Sequence, residues 1–360
     1  MRAQAYAPGR VELLGNHTDY NEGVVLGATI NRGLNMTGDS SQPDFIRLTS
    51  ASMGRVEIRS RELRPQSEQP WVNYALGVAS ELKSLGIPIL GFCAEVEGDL
   101  PAGAGLSSSA AFEVATALLL LKLHQRELPP LEIAKLCQRA ERKFVGVQSG
   151  LLDQVTCLFG RADHIVFFDA RSEEVRTLPF PTGLALIIAQ SGRERELRHG
   201  LYNDRVKETR AAADALGVRA LRDVSADALA KSTLPESLLR RAAHIVGENE
   251  RVWSALEFLA RGDGVGFGQL MNESHESSRK NFENSTPELD LLVEIARGIT
   301  GVLGARLTGG GFGGATVTLC QNEVAPTVAE ILAREYAERT RIQPQIFVCK
   351  IGDSARSWLV

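Results

Sequence analysis

The chain has 360 residues, 44% hydrophobic and 23% charged, with a formal net charge of −4 and a pI of about 6.0. That balance suits a globular protein with room for two domains. It argues against a generally basic surface for nucleic acid or an anionic membrane. Five widely spaced cysteines, with neither CxxC nor HExxH, signal no disulfide framework and no zinc site. They read as buried free thiols in a reducing compartment. MRAQAYAPGR lacks the apolar segment of a signal peptide. Residues 114–121, the longest uncharged apolar run, are too short to cross a membrane. The expected location is the cytoplasm.

In chain order, Val11 and Leu13, then residues 24–30, read as strands around a polar loop at 15–23. A turn accounts for Asn, Asp and Gly there. The close grouping of Arg10, Asn16, His17 and Asp19 also offers the convergent donors and acceptors that sugar hydroxyls need. Residues 45–50 and 55–59 alternate as strands, 71–82 as a helix with Trp71 and Tyr74 near its start, and 91–97 as a strand. The stretch that follows, DLPAGAGLSSSAAFEVATALLLL from Asp99, runs from small residues through Ser107, Ser108 and Ser109 into an apolar helix. It reads either as a glycine loop cradling phosphate at a helix N-terminus or as a Ser-capped core helix.

Residues 131–145 form an amphipathic pattern, with Glu141 on or beside its apolar face. Such a carboxylate either snorkels or serves as a metal ligand. Asp153 lies among Leu151, Leu152 and Val155, so it needs a partner or its pKa rises. A helix cap and a base beside a basic residue both fit. Strands are expected at 165–169, 175–178 and 184–189, and helices at 198–216 and 238–261. Tyr202, in a polar stretch, is a surface aromatic or a ligand contact. Helix 287–298, strand 305–308, strand 315–320, helix 324–336 and strand 345–350 outline a ferredoxin-like layer. The loop GGGFGG at 309–314 matches GxGxxG but leads into the strand ATVTL, which rules out a dinucleotide fingerprint. No GK[ST] occurs. Five glycines in six residues exceed what a plain hairpin needs.

Together three segments resemble the GHMP small-molecule kinases and, within them, the galactokinase family. They are PGRVELLGNHTDYNEG from Pro8, LPAGAGLSSSAAFEVA from Leu100 and LTGGGFGGATVTL from Leu307. Weaker likenesses are WVNYALGV from Trp71, FVGVQSGLLDQ from Phe144 and FGQLMNESH from Phe267. The resemblance implies an α+β, two-domain GHMP kinase fold. Its N-terminal ribosomal-S5-like α/β domain would cover 1–175 and its ferredoxin-like C-terminal domain 176–360. The implied activity is transfer of the γ-phosphoryl group of ATP to the anomeric hydroxyl of galactose.

The resemblance also assigns roles. Asp153 would be the base, with Arg10 beside it. Ser108 or Ser109, with Glu141, would hold Mg²⁺. Gly103, Gly105, Leu106, Ser107, Ser108 and Ser109 would cradle the ATP phosphates, and Trp71 would line the adenine pocket. Asn16, His17, Asp19, Gly150, Tyr202 and Gly310 would face the sugar. The expected partners are sugar and ATP, without nucleic acid or membrane, on a monomer or weak dimer. Asn16 stands where the family usually carries Glu, and loss of that charge would relieve repulsion against a sugar carboxylate. A galacturonate or N-acetylgalactosamine kinase, or a non-catalytic sugar- and ATP-binding regulator, are therefore the alternatives.

Overall fold

The computed structural model of the chain describes residues 1–40, 44–100, 105–192 and 198–360, the side chains of 198 and 199 excepted. The strands are β1 (Arg2–Leu14), β2 (Val24–Asp39), β3 (Phe45–Ser50), β4 (Gly54–Arg59), β5 (Phe92–Gly98), β6 (His164–Asp169), β7 (Val175–Pro179), β8 (Leu184–Gln190), β9 (Val302–Thr308), β10 (Ala315–Gln321), β11 (Gln345–Cys349) and β12 (Arg356–Leu359). The helices are α1 (Asn73–Ser84), α2 (Ser108–Leu123), α3 (Pro130–Ala140), α4 (Leu152–Phe159), α5 (Arg198–Ala215), α6 (Ala226–Ala230), α7 (Glu236–Ala260), α8 (Gly264–Ser277), α9 (Pro287–Arg297) and α10 (Ala325–Thr340).

β1 and β2 form the spine of the first sheet, ordered β12-β1-β2-β5-β3-β4. The long β2 is shared: residues 24–27 pair with β6 and residues 34–39 with β5. All pairings are antiparallel except β3 with β5. From Ala7 to Leu14 β1 is buried without alternation. Helices α2, α7 and α8 all pack on it, which makes it a central strand. The β1–β2 register shifts between Pro8 and Arg10 and again between Glu12 and Leu14. Such irregularities bend a strand and re-aim its side chains.

α2 is buried nearly all round, as its Ala- and Leu-rich composition requires. Its amphipathic neighbour α3 runs on through a wider π turn, Glu141–Val145, before Gly146 at φ 84° stops it. The second sheet, ordered β11-β8-β10-β9, is wholly antiparallel. With α9 and α10 against it this is the expected ferredoxin-like layer, and β8 supplies its first strand.

The expected division at 175/176 needs correction. β7 still pairs with β6 in the first sheet, so the chain crosses to the second sheet only after Pro179. It then returns at its end, where β12 pairs with β1. One apolar core joins Val11 and Leu13 of the first sheet to Leu186 and Val317 of the second. The five cysteines are free thiols, four of them buried.

Candidate active site

A cavity of about 780 Å³ opens between the sheets and is lined from both. Its chemistry begins on β1. Arg10, almost fully buried, sends Nε and Nη2 to Asp153 Oδ1, each at 2.6 Å. Nη1 donates to the Gly105 carbonyl at 2.9 Å, and the Arg10 backbone N–H donates to that of Leu106 at 3.1 Å. Burial alone would lower the Arg10 pKa, but the Asp153 and Glu12 carboxylates more than offset it. Asp153 sits in the first turn of α4, its side chain 33% exposed. The Cys157 thiol on the same helix donates to Pro8 O and holds α4 against β1.

Ser107 precedes α2 in a left-handed conformation, φ 55°. Its hydroxyl does not cap the helix; it donates to Asp153 Oδ2. Both oxygens of Asp153 are therefore engaged, one by a cation and one by a hydroxyl. Ser107, Ser108, Ser109 and Gly105 line the cavity at the N-terminus of α2. The Leu106 side chain is in the core, and its carbonyl holds Arg10. Gly103 lies outside the described residues. Glu141, brought to the same cavity by the end of α3, accepts a hydrogen bond from the Ser149 hydroxyl.

One end of the cavity is apolar and aromatic. Trp71 and Phe112 lie 5.9 Å apart between ring centroids, with Tyr74, Leu34, Val96 and Met53 around them. The Trp71 Nε1–H is buried without a partner.

The opposite end is polar. Asp19 accepts from the backbone N–H groups of Leu152 (3.1 Å) and Tyr20 (3.0 Å). A side chain at Gly150 would meet Asp19 Oδ2 at 1.8 Å, so glycine is required for that approach. The His17 ring lies 4.8 Å from that of Tyr202 and 4.6 Å from that of Phe282. Its Nε2–H donates to the Gly310 carbonyl at 3.1 Å, leaving Nδ1 to accept from the Tyr20 hydroxyl at 2.8 Å. Burial brings its pKa down to about 3, so it is neutral and both nitrogens are occupied.

Gly309–Gly314 is the connection between β9 and β10, hence a hairpin after all. Gly309, Gly311, Phe312, Gly313 and Gly314 all have positive φ. The loop folds onto the polar loop at 15–23, and Asn16 Nδ2 donates to Gly309 O at 2.9 Å.

Asn16 is completely buried. Its second amide hydrogen goes to Glu12 Oε1 at 2.8 Å, and its Oδ1 accepts from Asn284 at 2.9 Å. Glu12 Oε1 also accepts from Arg306 Nη2 at 2.9 Å, with the guanidinium fully buried. Burial drives the Glu12 pKa up to about 7 despite the pull of Arg306 and Arg10. A carboxyl group, which Asn16 lacks, thus stands in this wall on Asn16's own neighbour. Glu12, Tyr20, Ser149, Asn284 and Arg306 escaped the sequence reading. Only Glu12 left a local trace, two positions from Arg10 on one strand and so on the same face.

Comparisons with known proteins agree with this architecture. Residues 73–161 match the GHMP kinases N-terminal domain and 255–338 the GHMP kinases C-terminal domain. The chain is a GHMP kinase. Residues 3–38 match the galactokinase galactose-binding signature. A galactokinase of Roseiflexus sp. is 41% identical, over 96% of this chain and 90% of its own length. One from Glaesserella parasuis is 38% identical, over 98% and 94%. The crystal structure of Lactococcus lactis galactokinase complexed with galactose superposes with a TM-score of 0.94 at 31% identity, covering 98% of this chain and 94% of that one. Methanococcus jannaschii mevalonate kinase shares the fold, with a TM-score of 0.71 at 21% identity. The chain belongs to the galactokinase family.

Proposed function

We propose that this protein transfers the γ-phosphoryl group of ATP to the anomeric hydroxyl of galactose, giving galactose 1-phosphate and ADP. The observation that carries this reading is the Arg10–Asp153 pair, placed in one cavity with an aromatic end and a polar end. Asp153 accepts the proton of the sugar hydroxyl as the new P–O bond forms. Arg10 orients that carboxylate and stabilises charge on the transferring group. Phosphoryl transfer asks mainly for positioning and charge stabilisation.

Trp71 and Phe112 hold the adenine. Gly105, Ser107, Ser108 and Ser109, at the N-terminus of α2, face the phosphates. Asp19, Gly150, Tyr202, His17 and Gly310 shape the sugar end. Ser108, Ser109 and Glu141 offer hydroxyl and carboxylate oxygens on the same cavity, the hard donor set that suits Mg²⁺ shared with ATP phosphates. Bound there, the cation would neutralise phosphate charge. Among the described residues no helix is long and apolar enough to cross a membrane. The reading takes a cytoplasmic monomer or weak dimer, and the net charge of −4 supports its acting without nucleic-acid or anionic-membrane partners.

The test is ADP release with Mg-ATP and galactose, glucose, galacturonate, N-acetylgalactosamine or no sugar. Galactose-dependent release is expected. ATP binding without release on any sugar would leave a regulator, and preference for another sugar would reassign the substrate.

A further inference from the structure

Asn16 and Glu12 line the same wall of the cavity, but only one has anything left for a ligand. Both Asn16 amide hydrogens are committed, to Glu12 and to Gly309 O, and its oxygen accepts from Asn284. Glu12 receives its two side-chain donors, Asn16 and Arg306, on the same oxygen, Oε1. Among the described residues no donor reaches Oε2. A carboxylate 4% exposed, with one oxygen open on a cavity wall, is short of donors. Its elevated pKa reflects the same shortage.

The group is also held rigidly. Arg306 anchors it from β9, and Thr308 on the same strand takes the Glu12 backbone N–H at 2.8 Å. The register shifts on either side of Arg10–Glu12 turn this part of β1 toward the cavity.

We propose that Glu12 is the specificity-determining residue of the sugar end: Oε2 accepts a hydroxyl of the neutral sugar and excludes sugars bearing a carboxylate. This rests on the reading of the cavity as a sugar kinase site. A sugar hydroxyl supplies the donor that Oε2 lacks. A uronate carboxylate brings an acceptor instead of a donor against Oε2, and a like charge where Glu12 is ionised, in a wall where Arg306 Nη2 already bonds Oε1. A site built around a hydroxyl partner rejects molecules that leave its polar group unpaired. Asn16 then acts as a strut that positions Glu12 against the glycine loop.

The test compares wild type with Glu12→Gln, which keeps the shape and removes the charge. Binding of galactose and of galacturonate is followed by calorimetry, and turnover by ADP release. The wild type is expected to favour galactose. In Glu12→Gln galactose binding should weaken about 10- to 100-fold, as for loss of a charged hydrogen bond. Galacturonate should weaken less or improve, so the ratio between the sugars collapses. A purely structural role would weaken both sugars alike, and an unchanged ratio overturns the proposal. So does a wild type that prefers galacturonate or binds neither sugar. If Glu12→Gln does not fold, Glu12→Gln with Arg306→Met removes the charge together with its partner and is read the same way. Galactose binding without turnover would sink the kinase reading while leaving Glu12 to be judged by the binding ratio.

Discussion

β1 presents two ionic pairs two residues apart, and they differ in almost every respect. Arg10 brings the cation to a carboxylate on α4, and that carboxylate keeps 33% of its side-chain surface open. Glu12 brings the carboxylate to a cation on β9 that is completely buried. In the proposed reaction the first pair holds the group that reacts, and its anion faces the cavity. The second holds a group whose surroundings must not change, so its cation is sealed behind it. Asp153 keeps access to the cavity, whereas burial lifts the Glu12 pKa to about 7 even beside an arginine. On the proposed reading one strand carries both chemistry and selection, separated by solvent access rather than by residue type.

Breaking the first pair should have the largest effect. Asp153→Asn keeps the shape, removes the base, and should lower kcat by about 10²- to 10⁴-fold, with a lower melting temperature because the buried Arg10 loses its counter-charge. Near-normal kcat would remove Asp153 from the reaction. Breaking the second pair should appear in stability. Arg306→Met strands Glu12 in the interior and should cost about 3–5 kcal/mol in urea denaturation. Adding Glu12→Gln should recover most of that loss; no recovery would show that Arg306 serves packing rather than charge. Away from both pairs, Trp71→Ala should raise the KM for ATP about 10-fold through lost stacking and leave kcat nearly intact. A matching rise in the sugar KM would misplace the adenine.

The smallest expected effect sharpens the contrast through pH. Glu12 binds its proton more tightly folded than unfolded, because its pKa rises from 4.5 to about 7. Its stabilising contribution is complete below the lower value and is lost as pH rises through the window. Wild type should therefore lose stability relative to Glu12→Gln across that range and run parallel to it above. Parallel melting curves throughout would mean that Arg306 keeps Glu12 ionised at all these pH values.

Much of this was legible in the sequence because the decisive patterns are local. The strand after GGGFGG, the helix after the serines and the polar run from Asn16 to Asn21 each announce themselves within a few residues. Arg10 and Asp153 could be paired only through the family resemblance, since 143 positions separate them. Glu12 was missed for the same kind of reason: its partner lies 294 positions away, and a glutamate in a strand carries no local mark of burial. Ser107 looked like a cap, yet a left-handed backbone aims its hydroxyl elsewhere. The four-residue β12 is too short to show a period, and only its pairing with β1 defines it.

That terminal pairing has a mechanical consequence. The second domain is tied to the first at both of its ends, once after β7 and again before β12. A body held by one strap can swing in any direction, but one held by two turns mainly about the line joining them. Thr29 and Asn31, on the returning side, accept from the backbone N–H groups of Gly352 and Lys350 and shorten that second strap. Any relative movement of the two sheets is confined by these two connections, and Arg10 and Glu12 lie on the strand that receives the second of them.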